Sequence, residues 1–227
     1  GDAVPEPSRD RAISLFSATY TIGVSFSFFV SGPVASAFDW QTAYFLFGIS
    51  PVLGFILVAL TFPGAPKCTR ARTVFEFKPV LRSKPAIGYM CAYFIHNSES
   101  STIRAFIVSF LVLAIAAQPV GGGGVDWDPI MIAAIANLFG LPSIMLANEL
   151  ARLWDRKAVI TIIMVSSAAI GLLMAVSVSW SFFWVVVLVM FHGFLVPADV
   201  GSINAGLVGV TDPARRGATM ALHAVCG

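Results

Sequence analysis

Charged residues are scarce in this chain: of its 227 residues 11% are charged, whereas 57% are hydrophobic. A soluble domain of this length cannot hide so much apolar surface in one core. The net charge of only +2 indicates no nucleic-acid partner. Cysteine is also rare, and Cys68, Cys91 and Cys226 lie far apart with no C-x-x-C pair, so neither a disulfide framework nor a zinc site is indicated.

Signatures of catalysis and of cofactor attachment are absent as well. The chain contains no H-E-x-x-H motif and no G-x-S-x-G turn, so we do not expect an enzyme. His96 and Glu99 could be two ligands of a metal ion, but spacing fixes no third ligand, and no cofactor is predicted. A retinal protein needs an intramembrane lysine for its Schiff base, and the lysines of this chain fall in loops: Lys67, Lys78, Lys84 and Lys157.

Long apolar runs are what the sequence has in abundance. A helix that spans a membrane needs about 20 mostly apolar residues. Six complete runs meet this requirement: 11–38, 41–62, 85–117, 129–151, 158–180 and 182–210. A seventh run begins at 217–227. The predicted fold class is therefore all-α, a polytopic bundle of membrane helices whose first partner is the lipid bilayer.

The few charges are placed unevenly along the chain. Of the fourteen basic residues, thirteen lie in alternate connections or, like Arg11, at the very start of a run, and Arg104 is the exception. Because basic loops stay in the cytoplasm, the N-terminus and every basic connection are predicted to be cytoplasmic. The opposite ends of the runs carry the tryptophans expected of an aromatic belt at the outer interface: Trp40, Trp127, Trp180 and Trp184.

A connector rich in charge and proline divides the chain into two parts. Residues 1–62 hold two predicted membrane helices, 63–84 form a cytoplasmic linker, and 85–227 hold four helices and the start of a fifth. The stretch "PSRDRAISL" at 7–15 resembles "PARRGATMAL" at 213–222, an offset close to one six-helix half of a two-fold transporter. We therefore expect a piece of a longer protein, whose missing helices would complete both halves.

Three local motifs resemble the major facilitator superfamily of secondary transporters. The motif "SGPVASAF" at 31–38 is similar to the Gly-Pro kink of the family's fifth helix, and "NELARLWDRKAVI" at 148–160 is similar to the second copy of its cytoplasmic loop. The pattern H-x-x-E-x-x-x-x-R at 96–104, followed by Phe106, resembles a subgroup of bacterial members. The resemblance implies an incomplete two-half architecture, from the fifth helix to the start of the eleventh, and alternating-access transport in a bacterial inner membrane.

Residues of the first two motifs are candidates for a role in conformational change or gating: Gly32, Pro33, Glu149, Arg152, Asp155 and Arg156. Glu149 is either a simple i,i+3 partner of Arg152 or part of a gate. Small residues also recur every fourth position in the first run, at Gly23, Ser27, Ser31 and Ala35, which favours close helix packing or a hinge.

The third run carries a polar stripe. Successive residues of a helix turn by about 100°, so Tyr89, Tyr93, His96, Ser100 and Arg104 fall within a sector of roughly 80°, with Asn97 beside it. Glu99 is about 60° from His96 on the other side of the stripe, near enough for an i,i+3 contact. Because charge exposed to lipid is costly, the stripe is predicted to face protein or a water-filled cavity. The run is long for one straight helix, so we expect it to tilt or to break near "NSESS".

Arg104 is the sole cation in the membrane zone, and Glu99 and Asp199 are the two anions near its centre. We expect one carboxylate to neutralise Arg104 and the other to be free to titrate, although a purely structural ion pair is the alternative. Asp199 lies between Pro197 and Gly201, where the sixth run is predicted to be irregular. His192 is expected to be a hydrogen-bonded packing residue.

These patterns lead to one main hypothesis for function. We expect a secondary transporter of a small solute, with H⁺ as coupling ion if a buried carboxylate titrates. The predicted substrate or proton pathway consists of Tyr93, His96, Asn97, Glu99, Ser100, Arg104, Asp199 and Asn204. The alternative is a seven-helix receptor or another membrane protein without transport activity, although the predicted cytoplasmic N-terminus is opposite to the usual receptor orientation.

Overall fold

Helices form every regular element in the part of the chain that the structure, a computed structural model, describes: residues 6–61, 77–119 and 128–226. They are α1 (Glu6–Ala37), α2 (Trp40–Thr61), α3 (Phe77–Val80), α4 (Lys84–Ala116), α5 (Pro129–Leu153), α6 (Arg156–Val176), α7 (Phe182–Leu195), α8 (Val200–Val210) and α9 (Arg216–Cys226), with a 3₁₀ turn at Pro213–Arg215. In these ranges six stretches are long and apolar enough to cross a membrane, with α7 and α8 counted as one. The predicted all-α, multi-pass fold is confirmed.

Some sequence predictions fall partly outside the described residues. Most of the predicted linker at 63–84 lies there, and its described end contains the short helix α3. The glycine-rich connection with Trp127 also lies outside. Trp40, Trp180 and Trp184 occur at helix ends remote from the basic connections. The division of the chain at 62 and 84 stays a prediction.

Helices α1 and α2 form a hairpin with a connection of only two residues, Phe38 and Asp39. Asp39 begins α2 because its Oδ1 accepts a hydrogen bond from the Thr42 backbone N–H at 2.6 Å, which satisfies one of the free donors of the first turn. Helix α2 packs mainly against α1, and Ala43 is its buried residue. The rest of its apolar surface is exposed, as expected of a helix that faces lipid.

Helix α4 is continuous through the stretch where the sequence predicted a possible break, so it takes the alternative, an unbroken long helix. The polar side chains of "NSESS" bond back to the helix instead of disrupting it. Asn97 donates to the Tyr93 carbonyl at 3.2 Å and Ser98 to the Phe94 carbonyl at 2.9 Å. In an apolar environment such i−4 bonds satisfy the hydroxyl and amide groups, so weak helix propensity does not end the helix.

The sixth run is interrupted between α7 and α8, as predicted. Pro197 has no N–H to continue the helix, so α7 ends at Leu195 and α8 begins at Val200. Short turns bridge the gap, with the Ala198 N–H donating to the Leu195 carbonyl at 3.1 Å. The interruption places Asp199 at the start of α8, near the middle of the span.

Glycines mark the close crossings of the bundle, because a Cβ at these positions would collide with a neighbouring helix. A Cβ on Gly193 of α7 would meet the Ala136 backbone of α5, and one on Gly201 of α8 would lie 2.7 Å from Ser14 Oγ of α1. A Cβ on Gly32 of α1 would lie 3.0 Å from the Ile130 side chain of α5. Helix α1 therefore packs tightly on α5 and α8, which is typical of membrane helices joined through small residues.

The packing face predicted for α1 is wrong at Gly23 and Ala35, whereas its other two residues, Ser27 and Ser31, are half-buried. No atom of the described residues lies within 4 Å of a Cβ built on Gly23, and Ala35 is exposed. The buried side of α1 instead carries Ser14, Ser17, Ala18, Thr21, Ser25 and Gly32. The buried set carries four hydroxyl groups and the predicted set two, and the set with more polar groups is buried because polar groups are costly in lipid.

Candidate functional site

A polar cavity of about 560 Å³ lies between α1, α4 and the α7–α8 break. From α4 it is lined by part of the predicted stripe: Tyr93, His96, Asn97, Ser100 and Arg104. The remaining lining residues are Phe16, Ser17, Thr19, Tyr20, Thr21, Pro197, Val200 and Asn204. The stripe therefore faces an internal space, the environment that its polarity favours.

His96, which lines this cavity, forms a buried pair with Asp199, which does not line it. His96 Nδ1 lies 2.7 Å from Asp199 Oδ1, and the two side chains are only 6% and 4% exposed. The two atoms are close, but their geometry is not that of a hydrogen bond. Neither atom has a hydrogen-bond partner among the described residues. Such a pair is held by electrostatic attraction when the imidazole is protonated and the carboxylate ionised. The break before α8 makes this contact between distant parts of the chain.

Glu99 belongs to a second group on the other side of α4. Its Oε1 accepts a hydrogen bond from the Ser167 hydroxyl of α6 at 2.5 Å and lies 3.4 Å from His192 Nε2 of α7. His192 is 2% exposed, whereas Glu99 is 26% exposed. The i,i+3 contact with His96 that the sequence suggested does not form, because the two side chains point to different neighbouring helices. His192 is thus a carboxylate partner as well as a packing residue.

Arg104 is bound by hydroxyl groups, contrary to the expectation that a carboxylate neutralises it. Its Nη1 donates to the Tyr20 hydroxyl of α1 at 2.5 Å, and Nη2 donates to the Ser100 hydroxyl. The guanidinium carbon also lies 4.9 Å from the centre of the Tyr20 ring. Asp199 and Glu99 each contact a histidine instead. Within the described residues no carboxylate lies within 4.0 Å of Arg104. We refer to Arg104, Tyr20 and Ser100 as the Arg104 cluster.

The Arg104 cluster lies where the polar cavity meets a smaller one of about 40 Å³. The smaller cavity is lined on its far side by Asn137 of α5 and His192 of α7. All three members of the cluster line both spaces. A solute that passed from one space to the other would therefore contact the guanidinium.

Asn204 of α8 connects three helices. Its Nδ2 donates to Ser17 Oγ of α1 at 3.2 Å, and its Oδ1 lies 2.9 Å from His223 Nε2 of α9. The His223 ring in turn lies 3.8 Å from the Tyr93 ring of α4. This network brings Tyr93 and Asn204, both predicted from the sequence, to the same end of the polar cavity.

The gating candidates from the loop motif lie at the end of the bundle that carries the basic residues, which we call the basic end. Arg11 of α1 donates two hydrogen bonds to Glu149 of α5, at 2.6 and 3.1 Å. The Arg152–Glu149 contact predicted from spacing is present at 3.0 Å. The Arg11–Glu149 pair joins the start of α1 to the end of α5, and Arg152 supports it from within α5.

Arg156 makes a second connection at the same end. It contacts Asp10 of α1 at 2.6 Å and donates to the Ser202 carbonyl of α8 at 3.2 Å. The neighbouring Asp155 caps α6 by accepting the Ala158 N–H at 2.9 Å. Arg156 thus links three helices, whereas Asp155 fixes the start of one. Gly32 and Pro33 lie near the opposite end of α1, where Gly32 is buried and Pro33 is exposed.

Several site residues were not found by sequence reasoning. Ser17 and Tyr20 lie on α1, Ser167 on α6 and His223 on α9. A polar periodicity in α1, from Ser14 to Ser25, was the available signal for that helix. For Ser167 and His223 we find no local signal, because their significance depends on which helices become neighbours. Within the described ranges no three His, Cys, Asp or Glu side chains are grouped closely enough to hold a metal ion.

The family model of the Major Facilitator Superfamily matches residues 1–227. The chain therefore belongs to this superfamily of membrane transporters, whose members are transporters and not enzymes. No curated protein and no solved structure matches it significantly. Membership favours transport over the receptor alternative.

Proposed function

We propose that this protein is a secondary transporter that carries a small solute past the Arg104 cluster and exchanges a proton at the His96–Asp199 pair. The observation that carries the proposal is the pair itself, because His96 lines the polar cavity near the middle of the spans and lies 2.7 Å from the buried carboxylate of Asp199 behind it. Ionisable groups at this depth are costly to keep and are commonly used for transport.

The His96–Asp199 pair is suited to gain and lose one proton. The imidazole and the carboxylate are in direct contact, so one exchangeable proton can be shared between them. With one exchangeable proton the pair has no net charge, and with none it carries one negative charge. Loss of that proton would leave Asp199 without electrostatic compensation and weaken the link between α4 and α8. The proton can therefore influence the packing of these two helices.

Glu99 and His192 provide a second candidate for proton exchange. His192 lines the smaller cavity, while Glu99 lies behind it and is also bound by Ser167. A proton that reaches His192 from the cavity can pass to Glu99 over the 3.4 Å contact after a small side-chain movement. The two pairs lie on different sides of α4, so their effects can be separated by substitution.

Alternating access requires the contacts of α1 with α5 to open at one end at a time. At the basic end α1 contacts α5 through the Arg11–Glu149 pair, which Arg152 supports, and contacts the start of α6 through the Asp10–Arg156 pair. At the other end, Gly32 packs on Ile130 beside Pro33. We infer that the ion pairs close the basic end, which the positive-inside rule assigns to the cytoplasm. The resemblance to bacterial members favours a bacterial inner membrane as the location.

Transport in proteoliposomes tests proton coupling. Full-length protein is reconstituted with the pH-sensitive dye pyranine inside, and proton flux is recorded after addition of lactate, glucose or lysine as anionic, neutral and cationic probes. We expect at least one probe to move together with protons. In the Asp199→Asn variant, a pH gradient should no longer drive accumulation of that probe, although the probe should still exchange across the membrane. Glu99→Gln reports on the second pair in the same assay.

Asp39→Asn is the matched control, since it makes the same chemical change at an exposed turn between helices. Vesicles without protein correct for leakage of protonated weak acids. Gradient-driven accumulation that is unchanged in both Asp199→Asn and Glu99→Gln would remove proton coupling at these pairs. Absence of flux with every probe would count against the proposed transport itself.

A further inference from the structure

Arg104 has a positive charge that the described part of the protein does not compensate. Asp199 and Glu99 contact His96 and His192, and within the described residues no carboxylate lies within 4.0 Å of the guanidinium. A cation at membrane depth without a counter-ion is energetically costly. A ligand that supplies negative charge would remove this cost.

The guanidinium is nevertheless held in position. The Tyr20 and Ser100 hydroxyls accept one hydrogen bond each, from different terminal nitrogens, and the Tyr20 ring lies 4.9 Å from the guanidinium carbon. Hydroxyl groups orient the side chain but carry no charge. A guanidinium has five N–H donors, so donors remain for a ligand after these two bonds are made.

The charges around the cavity limit the ligand to one negative charge. The His96–Asp199 pair with its proton is neutral overall, so Arg104 is the one uncompensated charge among the described lining residues. A phosphate monoester carries nearly two negative charges at neutral pH and would leave one of them unmatched. A carboxylate carries one charge, and its two oxygens match the planar fork of a guanidinium.

The remaining lining of the cavity is partly apolar. Phe16, Tyr93, Pro197 and Val200 provide ring and aliphatic surface beside the Arg104 cluster. A volume of about 560 Å³ is in the range of pockets that hold small organic molecules. The ligand is therefore expected to have a short hydrocarbon part attached to its charged group.

We propose that the Arg104 cluster is the carboxylate subsite for a small organic monocarboxylate, the substrate class of this transporter. The inference rests on the proposed function in that the bound molecule is the transported solute. Arg104 pairs with the carboxylate, Tyr20 and Ser100 keep the guanidinium in place, and the apolar lining contacts the hydrocarbon part.

Thermal stability of the purified full-length protein in detergent tests the subsite directly. The probes are lactate, hexanoate and benzoate, their amides, hexylamine as a cation and phthalate as a dianion. We expect at least one monocarboxylate to raise the melting temperature and its amide to have no effect. Arg104→Gln should weaken that binding by about tenfold to a hundredfold, since a charge-assisted bidentate pair is lost. Arg104→Lys should retain part of it, because it keeps the charge but not the fork.

Arg82→Gln is the matched control, because it removes an arginine that is exposed outside the membrane spans. If Arg104→Gln fails to fold, Tyr20→Phe keeps the ring, removes the orienting hydroxyl and should still weaken carboxylate binding. The inference is overturned if carboxylates bind to Arg104→Gln as well as to the wild type. It is also overturned if no monocarboxylate stabilises the protein, including the case in which only amides, hexylamine or phthalate do so. Carboxylate binding without proton flux would contradict the proposed coupling alone, whereas proton-linked transport of glucose or lysine would contradict the carboxylate inference alone.

Discussion

Histidine is the partner of both carboxylates that lie near the middle of the membrane spans. An arginine in its place would keep each carboxylate ionised at all physiological pH values, because its own charge does not titrate. A histidine can lose its proton near neutral pH, so a His–carboxylate pair can change its charge without rearrangement of the chain. At the residue scale, Arg104 is separated from Asp199 and Glu99. Arg104 therefore provides a fixed positive charge, whereas the two His–carboxylate pairs provide charge that can change.

Asp39 allows a prediction about pH at a residue outside the spans. Hydrogen bonds from the Thr42 side chain and backbone lower the pKa of the Asp39 carboxyl. Because the folded-state pKa lies below that of the unfolded chain, the stabilisation is fully present above the unfolded pKa of about 3.9 and is lost as pH falls through the folded pKa. We expect Asp39→Asn to melt slightly below the wild type at pH 7 and the difference to shrink below about pH 4.

Melting curves of purified protein between pH 3 and pH 7 measure this effect. Asp39→Ala provides the comparison, because alanine removes the cap as well as the charge, whereas asparagine still caps a helix well. Asp39→Ala should therefore be the less stable variant at pH 7. A wild type that gains stability relative to Asp39→Asn on acidification would contradict the assignment of the low pKa to the folded state.

At the scale of elements, the six spans could be predicted because hydrophobicity is a local property of the sequence. The interruption at Pro197 was equally local, since proline lacks the donor that a helix needs. The continuity of α4 was not evident, because the cost of serine and asparagine in a helix depends on whether water competes for their hydrogen bonds. The partners of His96, Glu99 and Arg104 could not be predicted either, because they depend on how helices distant in sequence are arranged.

The crossing of α5 and α7 yields a prediction about packing. A Cβ at Gly193 would contact the backbone carbonyl of Ala136, which cannot move without displacing α5. Gly193→Ala should therefore destabilise the bundle by about 1–3 kcal/mol, the usual cost of overpacking. The measurement is the melting temperature of the purified protein in detergent.

Gly88→Ala is the matched control for this substitution. It lies within α4, and no atom of the described residues comes within 4 Å of a Cβ at that position. Because alanine favours a helix more than glycine, this variant should be at least as stable as the wild type. Equal stability of the Gly193→Ala and Gly88→Ala variants would show that the crossing is not as tight as described.

For the whole molecule, the ion pairs at the basic end join residues that are far apart in the chain. Arg11 and Glu149 are both well exposed, so each pair is individually weak. Weak contacts fit the closing role proposed for these pairs, because a contact that closes one end must break when that end opens. The Arg156 contacts with Asp10 and the Ser202 carbonyl are less exposed. They connect α6 to α1 and α8 at the same basic end.

Removal of these pairs should shift the protein towards the state that is open at the basic end. We expect Glu149→Gln to raise the population of that state by about two- to fivefold, the effect of one exposed ion pair, and the double variant with Asp10→Asn to raise it further. Spin labels attached at positions 8 and 153, with the native cysteines replaced, report the separation of α1 and α5 as a distance distribution.

Asp212→Asn is the control, since Asp212 pairs only locally with Arg215 at i,i+3. It should leave the distance distribution between α1 and α5 unchanged. A distribution in the Glu149→Gln and Asp10→Asn double variant that equals the wild type would mean that the ion pairs do not hold the basic end closed.

The two-residue connection between α1 and α2 has a consequence for biogenesis. Helix α2 has almost no buried surface in the described structure and is apolar throughout, so its hydrophobicity alone is enough to carry it into the bilayer. Helix α1 has serine and threonine along its buried side, and its transfer into lipid before α5 and α8 are made is less favourable. Because so short a connection leaves the two helices little freedom to separate, we expect α1 and α2 to enter the membrane together as a hairpin during synthesis, before α5 and α8 are made.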